Sequence, residues 1–208
     1  MPTRREFLSH TTLAGGVFAL QTPRWALAAD RPLRILILGG TGFIGPHFVR
    51  AAVERGHKVS VFNRGKSPAD LPPKVERLIG DRDHDLREIE HRTWDAVLDL
   101  ATYGPAWVRS LGQALQQRVG HYTFISTGNV YKDSNRNVNG TTEQSATWDY
   151  ELGLDAYSHS FTELEVAAIA KYCDKEDSAH ACLRKSSLYG PLKVLCEREA
   201  EQQFPAKR

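Results

Sequence analysis

Apolar residues along this chain gather in short runs that alternate with segments whose apolar positions recur at helical spacing. Residues 33–38, a run of Leu and Ile broken by one Arg, read as a strand buried on both faces. The run ends abruptly in glycines. Beyond them Phe43, Ile44, Phe48, Val49, Ala52 and Val53 fall on one helical face, and Gly56 closes that helix. Further strands are expected at 58–62, 75–79, 95–100 and 122–126, with helices at 85–91 and 106–117. Residues 132–156 are polar and turn-rich, which predicts a surface loop; 161–172 and 188–204 read as helices. Strands alternating with helices in this way predict an α/β fold, a Rossmann-like, doubly wound parallel sheet. Right-handed crossovers give the strand order 3-2-1-4-5, with a ligand at the carboxyl edge where strands 1 and 4 diverge.

The junction between the first strand and the first helix carries the clearest chemistry. Gly39, Gly42 and Gly45 form a Gly-x-x-Gly-x-x-Gly pattern in strand–turn–helix context, which fits a dinucleotide fingerprint. Gly39 permits the tight turn, Gly42 lets a pyrophosphate approach the backbone, and Gly45 lets the helix pack on the strand. With the amides at the helix start, the whole segment, including Thr41, Phe43 and Ile44, is a candidate cofactor cradle. The plainer alternative is a glycine-rich turn without a ligand. A nucleoside-triphosphate loop is excluded, because Pro46 and His47 stand where Lys and Ser or Thr are required.

The end of the second strand bears on which dinucleotide is bound. An NAD site usually places an acid there for the ribose 2′-hydroxyl, whereas Arg accommodates a 2′-phosphate. This chain has Asn63, Arg64 and Lys66 and no acid, which favours NADP over NAD, unless the two cations are ordinary solvated loop charges.

Charge and composition narrow the field further. Residues 1–28 read as a signal peptide: a basic start, a short apolar stretch at 13–20 and the small-x-small Ala26-Leu27-Ala28. The paired Arg4-Arg5 followed by x-Phe-Leu resembles a twin-arginine export signal, which implies a periplasmic or otherwise exported protein; an uncleaved basic amphipathic start is the alternative. Its removal takes three arginines and one glutamate, leaving 24 Lys+Arg against 24 Asp+Glu. That balance argues against a nucleic-acid partner, and the apolar stretch is too short for stable membrane insertion. The remaining 180 residues, 29–208, suffice for one domain. Cys173, Cys182 and Cys196 lack metal-ligand spacing, so no metal site is expected, and the sequence does not choose a disulfide among them.

Three motifs in order carry a resemblance: the glycine segment 39–45, Ser126-Thr127-Gly128-Asn129-Val130-Tyr131 at the fifth strand's end, and Tyr189-Gly190-Pro191-Leu192-Lys193. Together they resemble the extended short-chain dehydrogenase/reductase family, the NAD(P)-dependent epimerase/dehydratase group, over residues 33–204. Tyr189 and Lys193, four apart, share a helical face, and Pro191 confines Tyr189 to the helix entrance. A neighbouring ammonium favours phenolate over phenol, whose pKa is ordinarily about 10, and so suits the Tyr to general acid–base work. The resemblance implies that Lys193 also binds the nicotinamide ribose and that Thr127, four residues before Tyr131, orients the substrate oxygen. It further implies that Asp81 meets the adenine and that Leu100, Ala101 and Thr102 line the cofactor. Asp99 has no assigned role, and Trp94, Trp107 and Trp148 read as packing residues rather than a sugar platform.

Two features depart from the family pattern. Thr127 and Tyr189 are 62 residues apart, more than is usual in the family. The chain also stops straight after the Tyr-Lys helix, where relatives continue into a substrate-binding lobe. The expectation is a C-terminally truncated, short-chain-type oxidoreductase or epimerase acting on a sugar-like or other hydroxyl or carbonyl substrate, with inactivity for want of the lobe as the open alternative. A homo-oligomer could complete the fold. The competing expectations are a non-catalytic NADP(H)-binding module and a non-functional fragment.

Overall fold

The computed structural model describes residues 31–100, 102, 104–115, 117–132, 141–149 and 189–205. The chain divides into two units, Met1–Pro32 and Leu33–Arg208, and the fold below belongs to the second. Five parallel strands pair in the order β3-β2-β1-β4-β5. They are β1 (Arg34–Leu38), β2 (Lys58–Asn63), β3 (Glu76–Ile79), β4 (Trp94–Asp99) and β5 (Val119–Phe124). The expected order is therefore the observed one. Helices α1 (Gly45–Glu54), α2 (Arg87–Glu90) and α3 (Pro105–Leu115) lie between strands, and α4 (Tyr189–Gln203) follows.

Central β1 shows why the run of aliphatic residues was needed. Ile37 pairs with Val61 of β2 and Leu98 of β4, so β1 has a strand on either side. Alternate side chains leave on opposite faces. Leu36 and Leu38 join Phe62, Leu78, Ile89, Val97, Leu111 and Leu115 in one core. Ile37 joins Val49, Val59, Val61, Leu71 and Val75 in the other. A sheet covered on both faces requires this unbroken hydrophobicity.

Two boundaries differ from expectation. Strand β5 runs from Val119 to Phe124 rather than over 122–126: Val119 pairs with Trp94, and the ladder ends where Asp99 pairs with Phe124. Helix α1 begins at Gly45, so Phe43 and Ile44 lie in the turn before it. Phe43 is 97% exposed there. The turn is closed by Gly42 N donating to Gly39 O and Gly45 N to Gly42 O, with Pro46 in the helix's first turn. Pro has no amide to donate and is suited to that place. The loop tip 133–140, and the helix expected at 161–172, lie outside the described residues. No helix among the described residues is long and apolar enough to cross a membrane.

Candidate functional site

The glycine turn, the end of β2, the end of β5 and the start of α4 converge on one cavity of about 750 Å³. It opens at the carboxyl edge of the sheet, where β1 and β4 part to opposite connections, the place expected for a ligand in such a sheet. Gly39 has φ of 81°, a left-handed conformation that glycine adopts without a Cβ penalty. A Cβ on Gly45 would sit 2.5 Å from the Gly39 carbonyl oxygen and carbonyl carbon of Gly40, so α1 abuts the strand end only because that Cβ is absent. Gly42 is different. A Cβ there would meet only the Gly39 carbonyl, at 3.4 Å, and otherwise project into open space where Gly42 lines the cavity. The backbone is thus bare on its cavity side, as close approach of a diphosphate requires, and the residues present fit a dinucleotide.

Of the residues expected to hold the cofactor, Gly39, Thr41, Gly42, Phe43, Ile44, Asn63, Arg64, Asp81, Leu100 and Thr102 all line the cavity. Gly45 lies behind the turn, and Ala101 falls outside the described residues. Asn63 shapes its own loop, its Oδ1 accepting the Gly65 amide at 2.7 Å. That leaves Arg64 and Lys66 exposed at the cavity wall, neither with an ion-pair partner among the described residues.

Tyr189 and Lys193 line the same cavity as Gly42, one turn apart on α4. Tyr189 is the first residue of the helix, and Pro191 falls in its first turn, as its missing amide dictates. Lys193 is 3% exposed, and its Nζ donates to the carbonyls of Thr102 at 2.9 Å and Ile125 at 2.6 Å. The same ammonium sits 4.0 Å from the centre of the Phe124 ring. Burial pulls its pKa below that of an ordinary lysine. One ammonium therefore joins α4 to the residues just beyond β4 and β5.

Thr127 stands at the turn that follows β5. It is absent from the cavity lining, and its Oγ1 accepts the Asn129 amide at 3.3 Å, capping the 3-10 turn Gly128–Val130. At the β5 end of the cavity its neighbour Ser126 is a lining residue. A threonine at a turn entrance finds a local amide more readily than a distant ligand.

A buried polar cluster behind the cavity was not foreseen. Asp99, the last residue of β4, is fully buried and accepts from Arg82 Nη1 at 3.0 Å and Nη2 at 2.8 Å. Its Oδ2 also accepts from the hydroxyls of Thr102 at 2.6 Å and Tyr122 at 2.9 Å. Burial would raise the Asp99 pKa, but the Arg82 charge and these hydrogen bonds outweigh it and hold the carboxyl below its usual range. Arg82 lies over the Trp107 ring at 5.4 Å, and Trp107 Nε1 donates to Asp83 at 2.8 Å. Trp107 is thus more than packing: it forms cavity wall and braces an arginine. Because Asp99 neutralises Arg82, the exposed cations at the cavity are Arg64 and Lys66. Cys196 is free and buried, and burial pushes its thiol up to about 12. Among the described residues no group of His, Cys, Asp and Glu could hold a metal ion.

Comparison with known proteins agrees with this fold. The chloroplast stem-loop binding protein of 41 kDa b of Arabidopsis thaliana is 34% identical over 130 residues, 54% of this chain and 34% of its own length. The 2′-dehydrokanamycin reductase of Streptomyces kanamyceticus is 39% identical over 95 residues, 42% of this chain and 27% of its own. The chain thus spans about a third or less of the length of these curated relatives. Among solved structures, MoeE5 in complex with UDP-glucuronic acid and NAD matches with TM-score 0.51 and 18% identity, over 83% of this chain and 50% of that one. The UDP-N-acetylglucosamine 4-epimerase of Bacillus cereus matches with TM-score 0.50 and 18% identity, over 83% and 51%. At that identity the two structures speak for the fold. The model of the NAD dependent epimerase/dehydratase family matches residues 35–206, from the first strand past the Tyr-Lys helix. A glycine cradle, a cavity at the switch point and a Tyr-Lys helix on its wall are held by one continuous match, and the chain belongs to the NAD-dependent epimerase/dehydratase family.

Proposed function

We propose that this chain is the nucleotide-binding part of a short-chain-type oxidoreductase or epimerase that uses NADP in preference to NAD. The observation that carries this reading is that Tyr189, Lys193 and the bare backbone at Gly42 face a single cavity. When bound, the nicotinamide accepts or returns a hydride. The chain's own residues do the rest. Amides at the glycine turn hold the diphosphate. Arg64 and Lys66 meet a ribose 2′-phosphate, as two exposed cations without an ion-pair partner among the described residues are suited to do. Tyr189 moves a proton to or from a hydroxyl or carbonyl oxygen, and the Lys193 ammonium beside it stabilises the phenolate. The substrate class is sugar-like, in keeping with the names of the matched epimerases. The near balance of charge in residues 29–208 does not favour nucleic acid.

Export belongs to the same proposal. Residues 1–28 would carry the folded chain out by the twin-arginine route, with cofactor already bound. A reaction that returns the hydride to the same cofactor then needs no exchange outside the cytoplasm. Replacing Arg4 and Arg5 by Lys should leave the protein in the cytoplasmic fraction.

The central test is calorimetric titration with NADPH and NADH, set beside turnover of nucleotide sugars by wild type and Tyr189→Phe. The expected result is tighter binding of NADPH, with turnover abolished and binding kept in Tyr189→Phe. Tight NADPH binding without any Tyr189-dependent turnover would instead identify a non-catalytic NADP(H)-binding module.

A further inference from the structure

Ser126 lies two residues beyond β5 and lines the cavity, yet its Oγ is buried and has no hydrogen-bond partner among the described residues. Its neighbours are accounted for: the Ile125 carbonyl accepts from Lys193, and Thr127 Oγ1 accepts from Asn129. A buried hydroxyl left unpaired is costly, and its position on a binding cavity gives the cost a purpose. Strand order decides which part of a ligand it faces. β5 lies two strands from β1 on the side away from β2, three strand spacings from the strand that leads to Arg64. At about 4.8 Å per strand this is roughly 14 Å, so one purine ring cannot serve both ends. Ser126 shares its end of the cavity with Lys193, which bonds the adjoining Ile125 carbonyl.

We propose that Ser126 hydrogen-bonds the nicotinamide half of the dinucleotide, at its ribose or carboxamide, after a staggered rotation about Cα–Cβ turns Oγ to the cavity. This rests on the cofactor reading above. The experiment compares wild type, Ser126→Ala and Thr127→Ala by thermal melting and by titration with two probes. NADPH reaches both ends of the cavity; adenosine 2′,5′-bisphosphate reaches only the Arg64 end. Ser126→Ala should weaken NADPH about tenfold, leave the bisphosphate unchanged, and hold or raise the ligand-free Tm, because an unpaired hydroxyl has been removed. Thr127→Ala should instead lower the Tm, since a cap is lost. Equal NADPH affinity in wild type and Ser126→Ala overturns the proposal, and so does a loss of affinity for both probes together with a lower Tm. A wild-type protein that binds neither probe removes the cofactor reading itself, and Ser126 with it.

Discussion

Arg82 holds Asp99 with both terminal nitrogens, at 3.0 and 2.8 Å, where Asp99 has no exposed surface. Breaking such a pair from one side strands a buried charge. Asp99→Ala should therefore destabilise the protein by about 3–5 kcal/mol. Arg82→Ala should cost a similar amount and the double variant much less than the sum, a coupling that urea denaturation of all four proteins measures. Additive losses would refute the pairing.

The same carboxyl makes an acid limb in stability. Its folded pKa is lowered from the 3.8 of an ordinary Asp, burial being outweighed by Arg82 and the hydrogen bonds. The unfolded chain binds the proton more readily, so the stabilisation is full above about pH 4 and is lost as pH falls through the lower folded value. Asp85, held at about 2 by its hydrogen bonds with Arg87, is exposed and adds a weaker trend of the same sign. Urea midpoints measured from pH 7 to pH 2 should show the slope below pH 4 reduced in Asp99→Asn.

Gly42 and Gly45 should fail differently when given a methyl group. In Gly45→Ala the Cβ would meet backbone at 2.5 Å, so the strand–helix junction must shift, at a cost of about 1–3 kcal/mol. In Gly42→Ala the nearest atom is 3.4 Å away, and the methyl group enters the cavity instead. That variant should melt like wild type and lose most of its NADPH affinity. Normal NADPH binding by Gly42→Ala would contradict the diphosphate position.

Charge at the β2 end sets the choice of dinucleotide. Arg64→Ser with Lys66→Ser should weaken NADPH at least tenfold and leave NADH nearly unchanged, each charge-assisted contact with phosphate being worth about 1.5–3 kcal/mol. Equal losses for both ligands would show that these cations serve the diphosphate or the fold.

Cys196, with its thiol raised to about 12 and no exposed surface, should resist iodoacetamide at pH 8 in the native protein and react on unfolding. Peptide mapping by mass spectrometry reads this directly.

What could be read from the chain and what could not divide along physical lines. The run before Gly39, the glycine spacing and Pro191 each act locally, and they foretold β1, the turn and the place of Tyr189 at its helix entrance. The Asp99 cluster draws Arg82, Thr102 and Tyr122 from three separate segments, so no local pattern announces it; an acid closing an apolar strand was the available signal. Strand β5 starts earlier than its apolar pattern predicts, because Gly120 and His121 interrupt that pattern while pairing with β4 begins at Val119. The motif at the end of β5 does not announce that Thr127 Oγ1 accepts the Asn129 amide, nor that Ser126 lines the cavity.

Glu199, 1% exposed, accepts from Arg109 Nε at 3.0 Å and Nη2 at 3.1 Å, and so pins the far part of α4 to α3. Ten residues separate it from Tyr189, about 15 Å of helix at 1.5 Å per residue. Nearer the start of α4, Lys193 fixes the same helix to the Thr102 and Ile125 carbonyls, about 6 Å of helix from Tyr189, so α4 is held at two separate points. Loss of the Glu199 clasp would thus free the end of α4 remote from the cavity while Lys193 still holds the end that bears Tyr189.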